Sequence, residues 1–173
     1  MKIRNGFVSN SSSSSFIVIF PMEPKCVNDV KNMLFTKNQS YYDFDNTYSV
    51  EQVAMTVWSD ICDQTKNNTE KAIEILSSGY YGDGAPEYDD FKYIEDSSDR
   101  WTAYNNATNK YSAKILKDFF NIRKLKLQII DGKEVTGSVM YCFSYSDNDG
   151  NYYSALEHDG LFNNLKNITV SQH

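Results

Sequence analysis

Ser15-Phe16-Ile17-Val18-Ile19-Phe20-Pro21 is the stretch whose reading decides the fold. An unbroken apolar row rich in β-branched residues and stopped by proline reads as a buried strand. Working toward the C-terminus, Pro24 fits the first turn of a short helix that carries Val27, Val30, Met33 and Leu34 on one face. Residues 36–48 read as a polar and aromatic loop. Ser49 and Gln52 then make a capping box, and Val50, Val53, Ala54, Val57, Trp58, Ile61 and Cys62 recur at helical spacing. A second helix is predicted over 69–78, with Ala72, Ile73 and Leu76 inward and Gly79 ending it. A third covers 108–121 or starts nearer Asp99, because Trp101, Tyr104, Tyr111, Ile115, Leu116 and Phe119 can share a face.

Beyond that helix the period changes to two. Leu125, Leu127 and Ile129 alternate with Lys124, Lys126 and Gln128, as in a half-buried strand, and Asp131-Gly132 signals a turn. Residues 139–145 and 152–156 flank Asp147-Asn148-Asp149-Gly150, which predicts a hairpin, and a short strand over 168–170 closes the chain. One strand, then helices, then a run of strands predicts an α+β fold. We expect a largely antiparallel sheet packed against about three to four helices. Residues 1–173 are read as a single domain, opened by a polar, Ser-rich segment over 1–15.

The composition, 40% hydrophobic and 23% charged over 173 residues, is that of a globular chain able to bury a core without covalent staples. The three cysteines, Cys26, Cys62 and Cys142, are odd in number and far apart, without a C-x-x-C pair. They read as reduced, mostly core residues, and no metal site is implied. The apolar run after Lys2 and Arg4 is shorter than a signal-peptide core, and no stretch approaches a membrane span. The expected setting is therefore cytoplasmic, with no membrane partner.

Charge is distributed unevenly. Between residues 80 and 99, Asp83, Glu87, Asp89, Asp90, Glu95, Asp96 and Asp99 face Lys92 alone, interleaved with Tyr80, Tyr81, Tyr88, Phe91 and Tyr93. Acids steer an encounter with a basic protein and tyrosines supply stiff contact area, so Tyr80, Tyr81, Asp83, Glu87, Tyr88, Asp89, Asp90, Phe91 and Tyr93 are the candidate partner-binding residues. The competing reading is a solvated loop whose aromatics tuck into the core. A reverse patch holds Lys110, Lys114, Lys117, Arg123, Lys124 and Lys126 against Asp118. The first three share a helix face that can touch phosphates or simply be its wet side. A pI of about 4.9 argues against a dedicated nucleic-acid binder.

Catalytic candidates are few. The chain has two histidines, His158 and the terminal His173, and a Cys or Ser nucleophile would need His158 as base, oriented by Glu157 or Asp159. No nucleophile elbow surrounds any serine. If Gly150 took the sixth place of a calcium loop, Tyr145 and Leu156 would fall at the outer ligand positions, so the EF-hand reading fails. Residues 6–15 lack the Lys and second Gly of a phosphate-binding loop, and no cofactor is implied.

The opening, Arg4-Asn5-Gly6-Phe7-Val8-Ser9-Asn10 followed by Ser11 to Ser15 and Phe16, resembles the start of many small bacterial and phage proteins that share a GFVSNSSSSSF motif. That group has no settled activity, so the resemblance carries no site residues over. It implies a prokaryotic or viral cytoplasmic setting. In that setting the acidic, aromatic segment suggests a phage or mobile-element interaction protein that occupies a basic surface of a host protein. Such a host is exemplified by a nucleic-acid-handling defence enzyme, a CRISPR effector among them, so the chain would be an inhibitor of anti-CRISPR type. The alternatives are a small enzyme acting on a nucleotide or nucleic acid with His158 as acid or base, and a structural protein assembling through its hairpin edge.

Overall fold

A computed structural model describes residues 13–35, 41–43, 46–79, 84–121, 128–130, 133–135 and 137–172. At 41–43, 46, 120–121, 128–130, 133–135 and 172 it describes the backbone alone. The apolar run forms β1 (Ser13–Phe20), the middle strand of a three-stranded antiparallel sheet between β6 (Val139–Ser146) and β7 (Lys166–Gln172). Side chains alternate across a strand, and both faces of β1 are covered over Phe16–Phe20, which is why no polar residue interrupts that half of it. Phe16, Val18 and Phe20 enter one hydrophobic core, and Ile17 and Ile19 enter a second. The register sets Phe16 opposite Phe143 and Ile17 opposite Ile168.

The first core is closed by α1 (Val27–Leu34), α2 (Val50–Cys62) and α5 (Asn151–His158), the second by α3 (Thr69–Gly79) and α4 (Ser97–Asn121). The α+β architecture expected from the chain, a small antiparallel sheet with helices against it, is the one observed. Among the described residues there are also two small hairpins, β2 (Tyr41–Asp43) with β3 (Asn46–Tyr48) and β4 (Gln128–Ile130) with β5 (Lys133–Val135). The first replaces the loop expected over 36–48. Of the strand expected around 125–129 only the β4 backbone falls within the described residues.

Local chemistry accounts for the helix starts. Ser49 Oγ accepts the Gln52 amide at 3.1 Å, and Val53, Ala54 and Val57 of α2 are fully buried. Cys26, not Pro24, sits at the N-cap of α1, so the proline lies ahead of the helix. α3 buries Ala72, Ile75 and Leu76, with Ile73 half-buried. α4 begins at Ser97 and runs for 25 residues, the longer of the two expected extents, which starts nearer Asp99.

Two expectations are corrected. Residues 152–156 are not the second arm of a hairpin. Asp147–Asp149 is a 3-10 turn, Gly150 caps the next helix at φ +103°, a left-handed conformation that favours glycine, and α5 follows. Ala155 and Leu156 on α5 are buried in the first core, and that burial selects helix over strand. Cys62 and Cys26 are exposed, not core residues, because Ile61 takes the inward place at the end of α2. The outer edge of β6 is in part occupied. The Met140 amide donates to Asn67 Oδ1 at 2.8 Å and the Cys142 amide to Gln64 Oε1 at 2.9 Å, so side chains from the α2–α3 connection cover the outer edge of β6.

Candidate functional site

The acidic segment is folded back onto the start of α4. Residues Tyr88–Phe91 form a 3-10 turn in which Asp90 Oδ2 accepts the Glu87 amide at 2.9 Å. Asp96 is the N-cap of α4, its Oδ1 accepting the amides of Ser98 at 2.8 Å and Asp99 at 3.0 Å. Arg100 reaches back from the first turn of α4, and its Nε and a terminal nitrogen donate to the Ile94 carbonyl at 2.9 and 2.6 Å. Two carboxylates of the strip and one guanidinium therefore hold the loop in place.

Rings fill the space beneath it. Tyr88 lies 5.7 Å from both Trp101 and Tyr104, with the Arg100 guanidinium 5.9 Å from its centroid. Phe91 lies 6.2 Å from Tyr104 and 6.4 Å from Tyr93. These separations are those of favourable tilted and edge-to-face ring pairs. The cluster leaves Tyr93 74% and Trp101 56% exposed. Around them Glu87, Asp89, Glu95 and Asp99 are exposed carboxylates, and Lys92 and Arg100 are the cations within the segment.

The sequence-predicted site thus divides. Tyr80, Tyr81 and Asp83 lie outside the described residues. Tyr88 and Phe91 are half-buried supports and Asp90 is a cap, whereas Glu87, Asp89 and Tyr93 present themselves to solvent. Trp101 was assigned to the inward face of the helix and is instead exposed. Leu116 and Phe119 are buried as expected, while Tyr104, Tyr111 and Ile115 are half-buried. The role of Arg100 had no signal in spacing, since its acceptor is a backbone carbonyl.

The other candidates are not assembled into a reaction centre. Glu157 is fully buried at its side chain and accepts from Ser14 Oγ at 3.2 Å and the Asp147 amide at 3.0 Å. His158 Nε2 lies 3.6 Å from Glu157 Oε2 and is 46% exposed. The carboxylate therefore stands between serine and histidine, whereas a hydrolytic triad needs the imidazole in the middle. Burial pushes the Cys142 thiol up to about 11, against a small opposite pull from Lys71, so at neutral pH it is a protonated, weak nucleophile. Lys110, Lys114 and Lys117 share an exposed face and line a groove of about 530 Å³ with Ala107, Tyr111 and Ala113. Arg123, Lys124 and Lys126 lie outside the described residues. A second groove, of about 590 Å³, is lined by Glu70, Ile73, Glu74, Ser77, Ser78 and Asn109, and neither groove is lined by His158. Among the described residues no three His, Cys, Asp or Glu side chains are grouped to hold a metal, and no helix is long and apolar enough to cross a membrane.

Comparison with protein-family models, with curated proteins and with solved structures finds no match.

Proposed function

We propose that residues 87–104 form a docking surface for a basic protein, and that this chain acts by occupying that protein's cationic face. The observation that carries the reading is the pairing of two exposed aromatics, Tyr93 and Trp101, with a surround of exposed carboxylates on a loop already pinned by Arg100 and Asp96. A pinned loop loses little entropy on binding, so more of the contact energy becomes affinity. Each aromatic desolvated against a partner contributes about 1–2 kcal/mol, and the carboxylates chiefly speed and orient the encounter. The narrower form of the proposal is that the partner is a nucleic-acid-handling defence enzyme of a prokaryotic host, which this chain inhibits by steric and electrostatic competition with nucleic acid.

The test is affinity capture from a bacterial lysate at low and at moderate salt, with two variants as controls. The reading expects one basic protein held by the wild type, lost by Tyr93→Ala with Trp101→Ala, and bound more slowly when Glu87, Asp89, Glu95 and Asp99 are neutralised. DNA or RNA added in excess displaces it. Retention of the same protein by both variants would remove this surface from consideration.

A further inference from the structure

A second tyrosine cluster lies on the opposite face of the sheet from α4, where α2, β3, β6 and α5 meet. Tyr48 and Tyr152 stand edge to face at 4.9 Å, Tyr152 and Tyr153 at 5.4 Å, and Tyr153 lies 6.3 Å from Tyr145. The Tyr152 hydroxyl is 2.7 Å from Thr56 Oγ1, which fixes that ring against α2. Joined to the cluster through Tyr145 is Asp60, half-buried, whose Oδ2 accepts the Tyr145 hydroxyl at 2.9 Å. Tyr153 is 36% exposed at the margin.

Asp60 has no counter-charge among the described residues: no Lys, Arg or His pairs with it, and its neighbours of like sign include Asp63. Burial pushes its carboxyl above the usual range, more than the Tyr145 hydroxyl pulls it down. Packing does not require this charge, because an amide oxygen would accept the Tyr145 hydroxyl equally well. A partly desolvated carboxylate hydrogen-bonded to one member of a tyrosine cluster is complementary to one kind of group, a flat cation that can both hydrogen-bond and stack.

We propose that Asp60, with the tyrosine cluster it joins through Tyr145, receives an arginine side chain from an extended segment of a protein partner. This site is separate from the α4 surface and does not depend on it. Arginine fits better than lysine because its planar guanidinium pairs with a carboxylate through two parallel donors while lying against a tyrosine ring.

The probe is acetyl-Gly-Arg-Gly-amide, titrated into protein carrying ring-labelled tyrosine and followed by NMR, with the lysine tripeptide as comparison. The expected result is a saturable shift of the Tyr145, Tyr152 and Tyr153 ring signals, with the arginine peptide at least about threefold tighter than the lysine one. Asp60→Asn keeps an acceptor for Tyr145 and weakens the arginine peptide by about tenfold, erasing the preference. Tyr153→Ala, at an exposed position, weakens it by about threefold, so the inference stays testable if Asp60→Asn perturbs the fold. Trp101→Ala leaves the titration unchanged. Equal affinity in Asp60→Asn and wild type, no arginine preference, or loss on Trp101→Ala would each overturn the inference, the last by assigning the peptide to the α4 surface.

Discussion

Glu157→Ala is the perturbation that reports most directly on how the end of the sheet is tied to α5. The Glu157 carboxylate joins three parts of the chain: Ser14 on β1 at 3.2 Å, the Asp147 amide in the turn after β6 at 3.0 Å, and its own helix. Hydrogen bonds to a buried charge contribute about 1.5–3 kcal/mol each. Ser14 keeps a second partner, Ser171 Oγ at 3.3 Å, so its share falls at the low end, and removal of the buried charge relieves some desolvation. The net loss is therefore about 2–3 kcal/mol, or about 5–10 °C in Tm for a chain of this size. Glu157→Gln retains an acceptor for the Asp147 amide and a donor toward Ser14, and loses about 1 kcal/mol. Urea denaturation followed by circular dichroism, with an unchanged slope, measures both. A loss under about 0.5 kcal/mol for the alanine variant, or equal losses for the two, would refute the assignment of this carboxylate as the tie.

Other expectations follow from single geometries. Gly150→Ala places a side chain at φ +103°, where the cost is backbone strain of about 1–3 kcal/mol, read by the same denaturation experiment. Asp60→Asn stabilises the protein at neutral pH. A raised folded-state carboxyl is favourable to folding only when protonated, so wild-type stability from this group is complete below the unfolded value and is lost as pH rises through the folded one. The advantage of the asparagine variant therefore shrinks as pH falls from 7 toward about 4, and an advantage that grows on acidification would contradict the direction assigned to Asp60. Arg100→Ala removes the donors to Ile94 and frees residues 88–96, which hydrogen exchange detects as faster exchange there with little change in the sheet.

How much of this was legible beforehand depends on where the deciding interaction lies. β1 was readable because its burial on both faces is written as an apolar run, and α2 because its cap and its stripe are both local in sequence. Residues 152–156 misled because Asp147-Asn148-Asp149-Gly150 punctuates a hairpin and a helix start alike. The choice is made by Ala155 and Leu156 entering a core built from β1 and α2. The acidic segment was visible as composition, but composition does not say which carboxylates are spent as caps. Asp90 and Asp96 bind backbone amides, while Glu87, Asp89 and Tyr93 remain outward. Trp101 was misplaced for a related reason. Its helical spacing matches the buried face further along α4, yet at the helix start the neighbouring surface is the folded-back loop and not the sheet. Asp60 carried no signal, and Glu157 was legible only as a neighbour of His158, since the Tyr145 and Ser14 hydroxyls they accept are 85 and 143 residues away.

The most direct test of the α4 surface is site-specific crosslinking. A photoreactive amino acid is placed at position 93, with a second preparation carrying it at position 114 on the lysine face, and both are irradiated in bacterial lysate. The account expects one basic protein joined at position 93 alone, with the adduct forming more slowly when Asp89, Glu95 and Asp99 are neutralised and as salt rises. Equal adducts from both positions, or an adduct at 93 that forms at the same rate after neutralisation of those carboxylates, would contradict the claim that residues 87–104 are the docking surface.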